Sequence, residues 1–260
     1  MRNNKRLTLN KGSSIAQDTG CSQCMRKPLC MAHTLEDNSL HAFSALVNHA
    51  RPVKPKQALF RAGDRFDRLY FVRAGLFKSY RLHEDGALHV TGFHLPGEMM
   101  GLDNMNNGVH SEYLEALDTG SVCELPLAAI EKLARVDGAL VMQLMRTVSA
   151  EVSREKDMMY LLGKMGAKQK LANFLIDLSD RSYTSGLHRN KIHFGMTRAD
   201  IANHLGMAVE TISRILQGLR DQGILTINHR DIELTHRDLL ESIAKHGSIM
   251  PIPHRDRASA

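Results

Sequence analysis

The sequence predicts an α+β fold made of an N-terminal β-roll of the cupin-like jelly-roll type, one long helix and a C-terminal winged helix-turn-helix. Three observations predict these parts. Short apolar runs alternate with glycine and charged turns from about residue 55 to 125, and glycine and proline then vanish from Leu140 to Leu162. From about Met196 a short helix, a glycine turn, a second helix and a hairpin follow each other.

Length and composition agree with this division. The chain has 260 residues, of which 43% are apolar, enough for two compact domains. We expect a mobile arm (1–20), a cysteine segment with a β-roll sensor domain (21–138), a dimerisation helix (139–165), a winged helix-turn-helix (166–246) and a tail (247–260). The formal net charge of +6 favours a polyanionic partner.

The N-terminal residues and the apolar runs bear on location. The basic Met1–Leu7 stretch is followed by polar residues rather than by the apolar stretch of a secretory signal. No apolar run approaches the roughly 18 residues that a membrane helix needs. We therefore expect a cytoplasmic protein with no membrane partner, in a compartment where clustered cysteines bind metal more often than they form disulfides.

The four cysteines are the first candidate site. Cys21, Cys24 and Cys30 form a C-x2-C-x5-C pattern, and Cys123 follows on a predicted strand. The spacing matches neither the bacterial ferredoxin pattern nor the paired CxxC knuckles of a zinc ribbon. From the residues alone, an iron-sulfur cluster and a zinc ion both remain open. Unrelated buried thiols would explain Cys123 taken singly but not the close trio.

The β-rich region shows short runs separated by turns. We expect Glu84-Asp-Gly86 and Leu95-Pro-Gly97 to be the turns of hairpins in a small antiparallel roll. The predicted strands include 69–72, 75–80, 89–93 and 121–125.

The long helix carries a seven-residue repeat. The repeat, hereafter the seam, consists of Met145, Val148, Val152, Glu155, Met159 and Leu162. Such a repeat predicts packing on another helix, in this case a second copy of the chain. Glu155 would bring two carboxylates together, and at about 5 Å and an effective dielectric of about 20 their repulsion is roughly 3 kcal/mol. We interpret Glu155, with Val152 and Met159, as a dimer switch; the alternative is that Glu155 tilts outward and pairs with Arg154 or Lys156 of the partner helix.

The C-terminal pattern predicts a helix-turn-helix. Thr197 and Asp200 can form a capping box, and Gly206 can supply the turn. The second helix, about residues 208–222, turns Glu210, Ser213 and Arg214 outward together, where their side chains could reach base edges in a major groove. An ordinary solvated face would look the same in an isolated helix, but here a wing follows.

The wing is predicted from the hairpin after the second helix. Residues 225–227 and 232–234 form its two strands, and His229 and Arg230 lie at its tip, where they could touch phosphate. Together with Arg198 and Arg220 they would add salt-dependent affinity for DNA.

Taken together, these residues resemble the fumarate and nitrate reduction regulators of the cyclic-AMP receptor protein superfamily. The resemblance runs from Cys21 to about Leu240. Its most specific pieces are the cysteine spacing, Gly92-Phe-His-Leu-Pro-Gly97 and Val209-Glu-Thr-Ile-Ser-Arg214.

The resemblance implies a function. Cys21, Cys24, Cys30 and Cys123 would ligate an oxygen-labile 4Fe-4S cluster, and the cluster-bearing homodimer would bind palindromic TTGAT-N4-ATCAA-type double-stranded DNA and control genes of anaerobic respiration. The base readers would then be Glu210, Ser213 and Arg214. RNA polymerase would be a further partner, with the turn at 83–87 as a candidate contact. The hypothesis drawn from the seam adds that Glu155 keeps the cluster-free chain largely monomeric and that a bound cluster offsets the repulsion.

Two other functions are weighed against this one. A zinc-stabilised DNA-binding regulator of the same fold, without oxygen sensing, is the main alternative. An enzyme is disfavoured because no H-E-x-x-H, G-x-S-x-G or Walker motif occurs. A cyclic nucleotide is not expected, because no Arg-Ser or Arg-Thr pair that could hold its phosphate follows Gly97-Glu98.

Overall fold

The computed structural model describes residues 20–135, 138–184 and 190–248. Residues 1–19 of the predicted arm and 249–260 of the predicted tail lie outside them. The helices are α1 (Asp37–Leu46), α2 (Leu127–Ala134), α3 (Gly138–Lys164), α4 (Ala167–Thr184), α5 (Arg198–His204), α6 (Val209–Asp221) and α7 (Arg237–His246). The strands are β1 (Asn48–Val53), β2 (Ala58–Phe60), β3 (Arg68–Ala74), β4 (Phe77–Leu82), β5 (Leu88–His94), β6 (Met99–Met100), β7 (Tyr113–Ala116), β8 (Gly120–Pro126), β9 (Lys191–His193), β10 (Leu225–Asn228) and β11 (Asp231–Leu234).

Two four-stranded antiparallel sheets form the β-roll. One has the order β1-β8-β3-β6 and the other the order β2-β7-β4-β5. Because side chains alternate across a strand, Tyr70 and Val72 of β3 point between the sheets and meet Phe77 and Leu114 of the second sheet there. Leu69 and Phe71, on the opposite face of β3, belong to a separate core under the cysteine segment.

The two predicted turns have different roles. The turn at Glu84-Asp-Gly86 joins β4 and β5, which pair antiparallel as a hairpin. The prediction of a second hairpin at Leu95-Pro-Gly97 is wrong, because β5 pairs with β4 whereas β6 pairs with β3 in the other sheet. That turn carries the chain from one sheet to the other.

The long helix α3 has 27 residues, and its surfaces divide the predicted seam. Val152 and Met159 lie on the open face, 43% and 73% exposed. Val148 and Leu162 do not, because they pack against the cores of their own chain. Val148 and Leu162 are partly buried by their own chain, so the fully open apolar stripe of α3 is narrower than the predicted seam.

From the sequence we expect a helix at 167–179 and a polar loop at 181–190, but α4 extends to Thr184. Residues 185–189 of that loop lie outside the described residues. Arg181 explains the difference: its guanidinium donates to both Glu98 oxygens at 2.7 Å and to the Phe93 carbonyl at 2.5 Å, which fixes the last helical turn against the β-roll.

The helix-turn-helix and its wing follow the predicted order. The capping box of Thr197 and Asp200 is present at the start of α5, and Gly206 has a φ of +61° in the turn. The wing has a third strand that the sequence did not indicate, since β9 pairs with β11 through Ile192 and Ile232.

The DNA-binding half and the β-roll share one core. Val90 and Phe93 of β5 pack in the same buried cluster as Phe174 of α4 and Ile201 of α5. Asn203 of α5 also bonds the open edge of β5: its oxygen accepts from the Val90 N–H, and its amide donates to the Leu88 carbonyl, both at 2.6 Å. Helix α5 therefore covers the edge strand of this sheet.

Among the residues that the structure describes, no helix combines the length and apolar character needed to cross a membrane.

Candidate functional site

Three short 3-10 turns carry the N-terminal cysteines. They span Cys21–Gln23, Lys27–Leu29 and Met31–Thr34, and the backbone N–H groups of Cys24 and Cys30 bond carbonyls three residues back. Such tight turns bring cysteines that are close in sequence to one side of the chain. The segment packs on the outer face of the β1-β8-β3-β6 sheet, in a core with Phe43 and Phe71.

All four cysteines line one pocket. Cys123 reaches it from β8, where it lies opposite Phe71 of β3. The rest of the lining is mainly apolar, with a few cationic side chains: Arg26, Lys27, Ala32, Phe43, Val47, His49, Phe71, Val72 and Arg73. The fold therefore brings together the four residues that the sequence singled out, although 93 positions separate Cys30 and Cys123.

The pocket disfavours free thiolates. Burial raises the pKa of Cys30 to about 12, and burial also raises the pKa of Cys21. The negative charges of the neighbouring cysteines raise both pKa values further. A bound metal reverses this balance, because coordination deprotonates thiols and neutralises their charge. The donor set of four thiols thus fits a cationic metal group.

The thiols do not form a preformed single-ion site. Within the described ranges, no group of three or more His, Cys, Asp or Glu side chains is arranged to hold one metal ion. Four soft sulfur donors suit an iron-sulfur cluster and zinc alike.

Gly97, the last residue of the Gly92-Phe-His-Leu-Pro-Gly97 stretch, lies close against the cysteine segment. Gly97 has a φ of +97°, and a Cβ at this position would lie 2.5 Å from the Leu29 Cβ. No larger residue fits without displacing the backbone next to Cys30. The Gly92-Phe-His-Leu-Pro-Gly97 stretch therefore contacts both the cysteine segment, through Gly97, and α4, through the Phe93 carbonyl.

The second candidate site is the exposed face of α6. Ile212, Leu216 and Leu219 are buried and hold the helix against its domain. Glu210 and Arg214 are exposed, and Ser213 is half-buried and accepts a hydrogen bond from Arg198 at 3.3 Å. The three predicted base readers thus share one face.

The wing tip is held by a residue that the sequence did not indicate. Asp118, in the loop before β8, accepts from Arg230 at 2.9 Å and lies 3.3 Å from His193 Nε2. His193 Nδ1 lies 2.9 Å from Asp231. These residues are far apart in sequence, so no local pattern could have identified the contact.

On the open face of α3, Glu155 is exposed between Val152 and Met159. Its neighbour Arg154 is an intrachain partner instead, bonded to Glu98 at 3.4 Å and also to Glu151. This occupies one of the two cations that could have neutralised Glu155 across a dimer.

Comparison with known families matches the two halves of the chain separately. Residues 169–243 match the Crp-like helix-turn-helix domain. Residues 50–137 match the cyclic nucleotide-binding domain, which corresponds here to the β-roll.

Curated relatives match most of the chain. The fumarate and nitrate reduction regulatory protein of Escherichia coli (strain K12) is 36% identical over 226 residues, covering 87% of this chain and 90% of the relative. The fumarate nitrate reduction regulatory protein of Klebsiella oxytoca is 37% identical over 224 residues, covering 86% and 90%.

Solved structures show the same fold. FixK2 from Bradyrhizobium japonicum superposes with a TM-score of 0.68 at 29% identity, covering 74% of this chain and 95% of that one. The regulator CLP from Xanthomonas campestris superposes with a TM-score of 0.58 at 18% identity, covering 76% and 99%, a likeness of fold alone.

Proposed function

The chain belongs to the family of fumarate and nitrate reduction regulatory proteins, DNA-binding transcription regulators of the CRP/FNR type, and on this premise we propose that it senses oxygen through a 4Fe-4S cluster. The observation that carries the proposal is that Cys21, Cys24, Cys30 and Cys123 line the same pocket. Three of these ligands come from a segment held by short turns and one from a strand that is paired on both sides.

The residues around the pocket support such a group. When bound, the cluster would supply reactivity toward oxygen. Phe43, Val47 and Phe71 limit the access of water, and Arg26, Lys27 and Arg73 offset the negative charge of four thiolates.

The DNA target follows from α6. We propose that Glu210, Ser213 and Arg214 read a TTGAT-N4-ATCAA-type site, since arginine suits guanine and glutamate can accept from cytosine. Arg198 holds Ser213 and adds a cation to the same face. Two such helices are needed to span both half-sites about one helical turn apart, so we also propose that the active form is a homodimer.

The dimer interface would be the open stripe of α3. Val152 and Met159 supply apolar surface, and Glu155 between them opposes association. We propose that the cluster-free chain is largely monomeric for this reason. We also propose the exposed turn at residues 83–87 as a contact for RNA polymerase.

We do not propose a cyclic nucleotide as effector, although the β-roll matches that domain family. A cyclic phosphate needs a cation that can turn toward it. Near Glu98, Arg181 and Arg154 already pair with this carboxylate, and Arg81 pairs with Glu112.

The test is anaerobic reconstitution with iron, sulfide and zinc assays, followed by DNA binding before and after air. About four iron and four sulfide per chain are expected, with binding to a TTGAT-N4-ATCAA duplex that air abolishes. Replacement of Cys123 by Ser should abolish both cluster assembly and binding to the duplex. Zinc instead of iron, with binding indifferent to air, would contradict oxygen sensing and support a zinc-stabilised regulator of the same fold.

A further inference from the structure

Helix α1 places a hydroxyl group directly beside the first cysteine. Leu40 and Phe43 are buried and hold the helix against the cysteine pocket. Ser44, the residue after Phe43, accepts a hydrogen bond from the backbone N–H of Cys21 at 3.0 Å. A Cβ on Gly20 would lie 3.0 Å from the Ser44 oxygen, so the glycine leaves room for this approach.

A histidine fixes the orientation of the same serine. His49 Nε2 lies 3.0 Å from the Ser44 carbonyl oxygen and 3.4 Å from its hydroxyl oxygen. A carbonyl oxygen can only accept, so Nε2 must carry the proton and donate. His49 belongs to β1 and lies in the irregular stretch between Asn48 and Arg51, the two flanking positions that pair with β8.

The hydrogen-bond contacts of Ser44 leave its hydroxyl hydrogen available to the cysteine. A hydroxyl has one hydrogen and two lone pairs. The Cys21 N–H uses one lone pair, and His49 Nε2, which donates to the Ser44 carbonyl, lies 3.4 Å from the hydroxyl oxygen as a weaker second contact. Neither contact uses the hydroxyl hydrogen, so it can turn toward the Cys21 side chain, which the backbone bond holds beside it.

We propose that Ser44 is a positioning residue for the metal site, donating its hydroxyl hydrogen to the ligating Cys21 sulfur while His49 orients it. This inference rests on the proposed function, because it assigns Cys21 as a ligand. A hydrogen bond to a ligating sulfur withdraws electron density from it, which raises the reduction potential of an iron-sulfur cluster and strengthens its retention.

The experiment compares Ser44→Ala with Ser44→Thr, which keeps the hydroxyl. Ser39→Ala, in the same helix, is the matched control for losing a serine from α1. Each protein is reconstituted anaerobically, and its iron and sulfide content, midpoint potential, iron-sulfur stretching frequencies and cluster retention against a chelator are measured.

For Ser44→Ala we expect a lower midpoint potential, a higher iron-cysteine stretching frequency and roughly tenfold weaker retention, the loss typical when a partner of a metal ligand is removed. Ser44→Thr and Ser39→Ala should match the wild type, and His49→Phe should shift in the direction of Ser44→Ala. If Ser44→Ala assembles no cluster while Ser44→Thr does, the requirement for the hydroxyl is also supported.

Two results would overturn the inference. One is a Ser44→Ala protein with wild-type potential and frequencies. The other is an equal perturbation by Ala and Thr, which would mean that packing matters rather than the hydroxyl. A failure of the proposed function is seen separately, because the wild-type chain itself would then contain no iron or sulfide.

Discussion

Two arginines of α6 allow base recognition to be distinguished from general affinity for DNA. Arg214 is exposed on the face shared with Glu210 and Ser213, whereas Arg220 lies in the last turn of the same helix. A bidentate arginine contact to guanine contributes about 1–3 kcal/mol of discrimination, whereas a phosphate contact contributes mainly salt-dependent affinity.

We therefore predict that Arg214→Ala weakens binding to the cognate duplex by about tenfold or more and reduces its preference over a duplex with swapped half-site bases. Arg220→Ala removes the same charge and should weaken both duplexes equally. Fluorescence anisotropy at several salt concentrations measures both effects. Equal losses of preference in the two variants would argue against base reading by Arg214.

A second single-residue effect concerns pH. Burial lowers the pKa of His94 to about 4, with Arg181, Arg154 and His204 acting in the same direction and Glu98 opposing them. The unfolded chain, with an ordinary histidine pKa near 6.5, binds a proton at a pH where the folded chain does not. Stability from this group is therefore complete above pH 6.5 and is lost as the pH falls toward 4.

We predict that the free energy of unfolding of the cluster-free protein falls between pH 6.5 and pH 5, with about 1.5 kcal/mol due to His94. His94→Gln should flatten the slope by this amount, and the lowered pKa of His204 should account for part of the remainder. The exposed His89 of the same strand gives the control, His89→Gln. Urea unfolding at each pH measures the slope, and equal slopes in His94→Gln and wild type would refute the assignment.

At the scale of elements, the proposed dimer interface is the open stripe of α3. Removing the carboxylate of Glu155 removes the repulsion between copies, so we predict that Glu155→Ala makes the cluster-free protein dimerise at least roughly tenfold more tightly. Asp157→Ala removes the same charge from a different side of the helix and should leave association unchanged. Sedimentation velocity in air distinguishes the two, and a monomeric Glu155→Ala protein would exclude the switch.

The elements also show what the sequence could and could not predict. The runs that form β3, β4, β5 and β8 carry apolar residues, and this pattern was sufficient to predict them as strands. Strand β1, with its sequence NHARPV, lacks such a pattern and forms because β8 pairs with it. The three-residue β9 depends in the same way on β11.

For the candidate sites too, the sequence reveals local patterns but not contacts that arise from tertiary packing. The four cysteines were identified because their spacing is visible in the sequence. Ser44 and His49 were not, because their roles arise only when α1 and β1 pack beside the cysteine segment. The Glu98–Arg181 pair was missed because 83 positions separate its members and its effect was to extend a helix.

At the scale of the whole molecule, the wing and the β-roll are linked by charge. Arg230 is 67% exposed, yet it donates to Asp118 of the β-roll. We predict that Asp118→Asn frees this cation for DNA phosphate, which raises affinity and steepens the salt dependence by about one unit. Asp85→Asn, in the β4–β5 turn, removes an equal charge away from the wing. Anisotropy titrations from low to high salt measure the slope, and an unchanged slope in Asp118→Asn would mean that Arg230 does not contact DNA.

The contact between Asn203 and β5 affects how the β-roll behaves when it is separated from the DNA-binding domain. A sensor fragment that stops before α5 would lose the amide that satisfies Leu88 and Val90, and would lose Ile201 and His204 from the core around Val90 and Phe93. An unprotected edge strand with apolar residues recruits further strands from other molecules. The isolated β-roll should therefore aggregate through β5, and a chimera with a foreign reader domain would need a substitute for Asn203 to remain monodisperse.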